Sequence, residues 1–143
     1  MQRRDLAQGG FTLTELLVVL VIIGLLAALV GPVLYQRINP AKESVARAQI
    51  ENFMSALDSY FLDIGKFPTQ QQGLAALRTR QEGEAKWNGP YLKKDIPPDP
   101  WGNPFVYRSP GRNGGYELIS YGADGKEGGE GDNADINSWE TKK

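Results

Sequence analysis

Apolar residues are distributed along this chain in three patterns, and each predicts a different element. The first pattern is an uninterrupted run in which the nineteen residues 16–34 carry no charge. A helix of nineteen residues rises about 28 Å, close to the roughly 30 Å hydrocarbon thickness of a bilayer. Residues 11–35 are therefore predicted to form a membrane-spanning helix.

The second pattern is amphipathic and covers residues 41–65. Apolar side chains recur at helical spacing, with acidic and hydroxyl side chains between them. We expect a helix whose apolar face packs on the rest of a globular head, ended by Gly65 and the following Pro68. The predicted core-facing residues are Ile50, Phe53, Met54, Leu57, Tyr60, Phe61 and Ile64.

The third pattern consists of short apolar runs between turn-forming residues. Residues 105–109 and 116–121 read as two strands joined by a glycine-rich loop, which predicts a β-hairpin. Residues 96–104 are dense in proline, glycine and asparagine and predict a turn, held on the head by the ring of Trp101. The predicted fold is α+β, with one long N-terminal helix packed against a small antiparallel sheet.

Three local features complete the outline of the chain. Thr69 and Gln72 have the spacing of a capping box that opens a short helix carrying two leucines. Residues 78–89 are polar and predict an exposed loop. Pro32 predicts a kink or local unwinding of the long helix, although it could equally mark where the helix leaves the bilayer.

The charges around the apolar run predict its orientation. Arg3 and Arg4 precede it, so the positive-inside rule places the N-terminus in the cytoplasm and residues after about Tyr35 across the membrane. Glu15 is an acid at the start of the run, where a lone carboxylate is costly in lipid, and a plain anchor does not explain it. A cleaved secretory signal is the other alternative, but the run is long and no A-x-A site ends it.

Composition excludes several classes of function. The net charge is −1 and no basic stripe is present, which argues against nucleic-acid binding. The chain has no cysteine, which excludes a disulfide-stapled head. It also has no histidine, so the common nucleophile–base arrangements and most zinc sites are missing, and we predict that the protein is not an enzyme.

An acidic, glycine-rich loop covers residues 124–135. Its carboxylates repel one another, and it has too little apolar surface to order itself, yet it lies between a strand and Trp139. Calcium, which takes carboxylate and carbonyl oxygens, would resolve this conflict. The spacing is not that of an EF-hand, and a solvated acidic loop explains the residues equally well. The five acids are Asp124, Glu127, Glu130, Asp132 and Asp135.

The apolar helix is preceded by the sequence Gly10-Phe11-Thr12-Leu13-Thr14-Glu15. This arrangement resembles the class III signal of type IV pilins and their relatives. It implies that a prepilin peptidase removes residues 1–10 as a leader, cutting between Gly10 and Phe11, and methylates the new amine of Phe11. It also implies that Glu15, the fifth residue of the mature chain, acts in assembly.

A physical argument supports a role of Glu15 in assembly. The acid lies one helical turn from the new amine of Phe11, and a buried carboxylate needs a cation nearby or it becomes protonated. If subunits stack with an axial stagger, the amine of an incoming subunit can pair with the acid of its neighbour. The alternative is an acid that only reaches to the membrane interface.

Four further segments follow one another along the chain, beginning at Phe67-Pro68-Thr69, Tyr91-Leu92-Lys93, Asp99-Pro100-Trp101 and Gly122-Ala123-Asp124. In this order they resemble the major (G-type) pseudopilin of bacterial type II secretion systems. That resemblance implies a non-enzymatic inner-membrane subunit whose head, residues 36–143, lies in the periplasm. It implies a homopolymer, the pseudopilus, that drives folded proteins through an outer-membrane secretin. The implied partners are minor pseudopilins, the inner-membrane platform and prepilin peptidase.

The same resemblance implies a ligand set for calcium. Asp124 and Asp135 align as side-chain ligands and Tyr121 as a carbonyl ligand. The family's adjacent aspartate pair is broken by Ala134, so Asp132 is taken in place of the missing member, with Asn133 or Glu130 as substitutes.

Three other functions stay open at this point. A type IV pilin would form surface fibres, although the missing cysteine pair argues against it. A membrane-tethered calcium-dependent binding module, such as an adhesin or lectin head, would be a monomer that needs no leader cleavage. An anchored enzyme would require a catalytic constellation that the residue types do not provide.

Overall fold

The computed structural model describes residues 10–140, and within them all side chains except those of residues 35–39. Most of the predicted leader, residues 1–9, therefore lies outside the described residues. The chain divides into two compact units, one ending at Ile38 and the other beginning at Asn39. The elements are α1 (Leu13–Ile64), a 3₁₀ helix (Gly73–Leu77), β1 (Val106–Arg108), β2 (Glu117–Ser120), a 3₁₀ helix (Gly131–Asn133) and β3 (Ile136–Asn137).

The first unit consists of the apolar part of α1. Its segment Leu13–Leu34 has a mean hydropathy of 3.0 and is long and apolar enough to cross a membrane. The large apolar side chains of this segment are uncovered in the isolated chain, from 46% exposed at Val19 to 82% at Leu13. This segment has the properties predicted for a membrane-spanning helix.

The helix is not interrupted at its prolines. α1 is helical at both Pro32 and Pro40, so the prediction of local unwinding near Pro32 is wrong for the isolated chain. A proline removes one intrahelical hydrogen bond, and the residues around it keep theirs, which is enough to hold the helical turn. A bend at Pro32 stays a prediction.

The second unit is built on the later part of α1. Residues that repeat at intervals of four and three positions are buried and form the core with the two leucines of the first 3₁₀ helix. The predicted burial is confirmed for Ile50, Phe53, Leu57 and Tyr60. Met54 and Ile64 are partly buried and pack at the edge of this face. The buried residues of the face are Ala46, Ile50, Phe53, Leu57 and Tyr60.

Phe61 is the exception, and its predicted burial is wrong. It is 42% exposed because it follows Tyr60 by one residue, which turns its side chain about 100° away from the buried face. Its ring packs on Phe67 instead, with 4.7 Å between the ring centroids.

The sheet has the antiparallel order β1-β2-β3. The predicted hairpin is confirmed, with Val106 opposite Ile119 and Tyr107 opposite Leu118. The third strand was not predicted, since only two residues pair, Ser120 facing Ile136 at its start. Because β3 follows the acidic loop, both ends of that loop are tied to the central strand.

The capping box is confirmed by both of its hydrogen bonds. The Gln72 amide donates to Thr69 Oγ1 at 3.3 Å, and the Thr69 amide donates to Gln72 Oε1 at 2.8 Å. The prediction of an exposed loop over residues 78–89 is partly wrong. Glu84 is only 8% exposed and accepts Lys66 Nζ at 2.8 Å, while Trp87 packs on the core.

Candidate functional sites

The predicted cleavage position lies just before the start of α1. Gly10 and Phe11 precede the helix and are exposed, Phe11 by 81%. Thr12 caps the helix, since the amide of Glu15 donates to Thr12 Oγ1 at 3.3 Å. The peptide bond between residues 10 and 11 is therefore next to a defined helix start and open to an enzyme.

Glu15 lies in the first turn of α1, where the helix dipole favours a negative charge. Its side chain borders a small apolar cavity of about 210 Å³ together with Phe11, Leu16 and Val19. Within residues 10–140, every ion pair is formed in the head, and none involves Glu15. A cation for this carboxylate must come from another part of the chain or from another molecule.

The two limbs of the acidic loop are joined by a backbone hydrogen bond. Ala123 donates to the carbonyl of Asp132 at 2.9 Å. Gly122 has φ of +63°, and a Cβ there would lie 2.8 Å from the Asp132 carbonyl, so the limbs meet at a distance that only glycine allows. The two limbs are thus joined at this point, and the need for a bound cation to order the rest of the loop stays a prediction.

The structure brings together some of the predicted metal ligands and separates others. Asp132 and Asp135 line one cavity of about 230 Å³. Asp124 is exposed and uses Oδ1 to accept the amide of Lys126 at 3.1 Å. The hydroxyl of Tyr121 accepts from Arg108 at 2.7 Å. Across residues 10–140, no group of three acidic side chains lies close enough to hold a metal ion.

One carboxylate oxygen in the loop nevertheless has the character of a metal ligand. Asp135 Oδ2 accepts the amide of Gly128 at 2.9 Å, while Asp135 Oδ1 is buried and has no hydrogen-bond partner. A buried carboxylate oxygen without a partner is costly, and a cation or a water would remove that cost. This orphaned oxygen is of the type that calcium binds, since the ion takes carboxylate and carbonyl oxygens.

Besides Glu84, two buried carboxylates in the head were not found by sequence reasoning. Asp99 is 3% exposed and accepts from the amides of Trp101 and Asn103, at 3.1 and 2.8 Å, and from Ser120 Oγ at 2.6 Å. An aspartate followed by proline, glycine and asparagine is an Asx-turn signal that could have indicated it. Trp101 packs partly on the core as predicted, but Asp99 provides the hydrogen bonds that pin the turn.

Glu117 is the second of these carboxylates. It is 1% exposed at the start of β2, and its Oε1 accepts the amides of Arg112 and Asn113 at 2.8 and 3.1 Å. Arg108 Nη1 lies 3.9 Å from its other oxygen. The hairpin loop is thus folded around a buried acceptor, for which the sequence carries no local signal.

The perturbed pKa values belong to tyrosines of the head core. Burial, and then the negative charge of Asp58, raises the pKa of Tyr116 to about 12. Burial also raises the pKa of Tyr91, whose hydroxyl donates to Asp63 Oδ2 at 2.8 Å. Both hydroxyls are therefore protonated at neutral pH, and that of Tyr91 acts as a structural donor.

Comparison with known families matches almost the whole chain. Residues 33–139 match the family described as "Type II secretion system (T2SS), protein G", and residues 6–31 match the prokaryotic N-terminal methylation motif. The chain is 48% identical to type II secretion system core protein G of Pseudomonas aeruginosa, covering 98% of this chain and 99% of the relative. It is 45% identical to the core protein G of Vibrio cholerae, covering 92% of each.

A solved structure is similar as well. The crystal structure of the major pseudopilin from the type 2 secretion system of enterohaemorrhagic Escherichia coli superposes with a TM-score of 0.59 and 30% identity. The match covers 70% of this chain and 88% of that one. The fold described above is thus similar to that of a pseudopilin head.

Proposed function

The chain belongs to the type II secretion system protein G family, and we propose that it is the major structural subunit of that system's pseudopilus. In this proposal, copies polymerise from the inner membrane into a periplasmic filament that drives folded proteins through the outer-membrane secretin. One observation carries the proposal: the same chain matches the protein G family over residues 33–139 and the methylation motif over residues 6–31.

The N-terminal segment supplies the assembly surface in this proposal. Prepilin peptidase cleaves between Gly10 and Phe11 and methylates the amine of Phe11. The uncovered apolar side chains of α1 then move from contact with lipid to contact with the same segment of other copies. Helices in lipid gain little from apolar burial alone, so directional contacts must set the register.

Glu15 supplies that directional contact. Its carboxylate has no basic partner among residues 10–140 and lies at the start of an apolar helix. The ammonium of Phe11 from an incoming subunit would neutralise it, and a subunit placed out of register would leave both charges unpaired in apolar surroundings. That cost, several kcal/mol for a buried unpaired charge, favours one stagger over others by about a hundredfold or more.

Calcium is proposed as the cofactor of the head. Asp135 and Asp124 would hold it with their side chains and Tyr121 with its carbonyl, and Asp132 would complete the acidic set. A bound calcium ion supplies a positive charge that lets these carboxylates approach one another. The support is the orphaned oxygen of Asp135, which is buried in the loop that connects β2 to β3.

The proposed partners follow from membership of the protein G family. We propose that the chain is a structural subunit and not an enzyme, which its membership of the protein G family and its likeness to a major pseudopilin support. We propose minor pseudopilins, the inner-membrane platform and prepilin peptidase as partners, with the head in the periplasm. A type IV pilin and a tethered binding module lack the support that the protein G matches give to the main proposal.

Complementation tests the proposal. The gene is introduced into Pseudomonas aeruginosa lacking its own core protein G, which is 48% identical to this chain, and secreted proteins are measured in the medium. Restored secretion with copies cross-linked into a ladder supports a pseudopilus subunit. Surface fibres without restored secretion would indicate a type IV pilin, and a monomer without secretion would indicate a tethered binding module.

A further inference from the structure

β1 is an edge strand of the head's sheet. Among residues 10–140, it pairs with β2 on one side and with no strand on its outer side. Leu118 of β2 lies opposite Tyr107 and directs its carbonyl to Ser138, on the side away from β1. The backbone groups of Tyr107 therefore face outward, as do those of Ser109 two residues further on. Outward amides and carbonyls of this kind can pair with a strand of another molecule.

The side chain of Gln70 occupies this outer edge. Its Nε2 donates to the carbonyl of Tyr107 at 2.9 Å, and its Oε1 accepts the amide of Ser109 at 3.0 Å. A primary amide carries the same donor and acceptor as a peptide group, so one side chain bonds the two groups that a neighbouring strand would bond. The edge is thus closed without a fourth strand.

The segment that carries Gln70 is itself fixed to the head. The carbonyl of Pro68 accepts the hydroxyl of Tyr107 at 2.8 Å. The capping box of Thr69 and Gln72 encloses Gln70 in sequence. Gln70 itself is exposed, so a single side chain at the surface separates the edge of β1 from other molecules.

We propose that Gln70 blocks the pairing of this edge with β1 of a second copy of the chain. The edge is self-complementary: in an antiparallel pair of two β1 strands, the amide of Ser109 in each copy would donate to the carbonyl of Tyr107 in the other. Gln70 occupies both groups and so prevents that exchange. The inference rests on the two hydrogen bonds of Gln70 and is independent of the proposed function and of calcium.

The charge of Arg108 does not replace this block. Arg108 would lie at the centre of the pair of β1 strands, where like charges oppose each other. Its guanidinium, however, already lies 3.9 Å from a carboxylate oxygen of Glu117 and 3.4 Å from one of Glu127. These acids offset the repulsion, which leaves Gln70 as the side chain that closes the edge.

The chain offers a matched control for removing Gln70. Gln71 is also an exposed glutamine in the same short segment. Gln70→Ala opens the edge, whereas Gln71→Ala shortens the neighbouring side chain and leaves the edge closed. Neither change removes a buried side chain, so both variants should fold as wild type does, which circular dichroism checks.

Hydrogen exchange of the Ser109 amide tests the inference, followed by NMR on the full-length chain in detergent at a low and a high protein concentration. In wild type and Gln71→Ala we expect slow exchange at both concentrations. In Gln70→Ala we expect exchange about tenfold faster or more at the low concentration, because the acceptor is gone. At the high concentration exchange should slow again, because the carbonyl of Tyr107 in a second copy then accepts this amide.

The Ser109 amide reports on the edge itself, so association of the apolar helices in detergent does not imitate the expected result. Fast exchange in Gln70→Ala at both concentrations would overturn the proposal, since the open edge would then stay unpaired. Slow exchange in this variant at the low concentration would also overturn it, because Gln70 would not be what protects the amide. Fast exchange in wild type would overturn it as well, since the edge would not be closed.

Discussion

The two units of this protein treat apolar side chains and carboxylates in opposite ways. In the first unit, the apolar side chains of α1 are 46% exposed or more, and the carboxylate of Glu15 has no basic partner among the described residues. In the second unit, the core is buried, and Asp99 and Glu117 are surrounded by donors. In the proposed function, the first unit gains its contacts from lipid or other copies, whereas the head gains its contacts internally.

This comparison predicts that mutations in the two units have separable effects. A change at Glu15 should alter assembly and leave the stability of the head unchanged. A change at Asp99 should alter stability without touching the assembly surface directly.

Replacing Glu15 by glutamine should abolish filament formation while leaving cleavage by prepilin peptidase intact. The substitution keeps the shape of the side chain but leaves the ammonium of an incoming subunit without a counter-charge, which costs several kcal/mol in apolar surroundings. Filaments can be counted by electron microscopy after expression with the secretion genes.

Thr14→Ala is the matched control, since residue 14 neighbours Glu15 and carries no charge; its filaments should resemble those of wild type. Normal filaments from Glu15→Gln would contradict the charge-pairing role. Thermal unfolding of the head in both variants should coincide with wild type, which separates an assembly defect from a folding defect.

Asp99→Ala should destabilise the head by about 3 kcal/mol or more. The change leaves two buried amides and the Ser120 hydroxyl without their acceptor. Urea unfolding of the detergent-solubilised chain gives the free energy of unfolding. Asp95→Ala is the control, because the Asp95 side chain is 96% exposed and its ion pair with Arg78 should contribute little. Similar losses of unfolding free energy in both variants would contradict the view that the buried position of Asp99 makes its hydrogen bonds important for stability.

Asp124→Ala should remove the stabilisation of the head by calcium. At a calcium concentration one hundred times the dissociation constant, bound metal adds about 2.7 kcal/mol, and the variant should unfold as the wild type does in chelator. Glu127→Ala serves as the control, since Glu127 pairs with Arg108 and is not a proposed ligand. Identical melting of wild type with calcium and with chelator would refute the metal site.

At neutral pH, Tyr116→Phe should change the free energy of unfolding least, by less than about 0.5 kcal/mol. In the folded head the pKa of Tyr116 is raised to about 12 from 10.0, so the neutral hydroxyl is favoured by folding. Its contribution is fully present below pH 10 and is lost as the pH rises from 10 towards 12. The variant should therefore lose less stability than wild type over that range, as followed by circular dichroism.

Much of this fold could be predicted from the periodicity of apolar residues. The parts that could not be predicted have physical reasons. Ile50, Phe53, Leu57 and Tyr60 were predicted because one helix face is buried over three turns. Phe61 was assigned wrongly because an apolar residue beside the face cannot be distinguished by spacing alone. β3 was missed because two paired residues leave no alternation to read.

The residues of the candidate sites likewise divide into those that a sequence motif identifies and those that only the folded structure brings together. Gly10, Phe11 and Glu15 are adjacent in sequence, so a motif can identify them, and their neighbourhood is matched by the methylation motif. Asp135 and Trp101 are 34 positions apart and line one cavity only in the folded chain, so no local pattern reports their juxtaposition. The burial of Asp99 and Glu117 likewise depends on amides brought to them by tertiary folding.

Leader cleavage is tested most directly by the intact mass of the protein from membranes of cells with and without prepilin peptidase. We expect the mass of residues 11–143 plus one methyl group only when the peptidase is present. The same full-length mass in both cells would contradict it, because Glu15 would then lack the cleaved amine on which the proposed assembly depends.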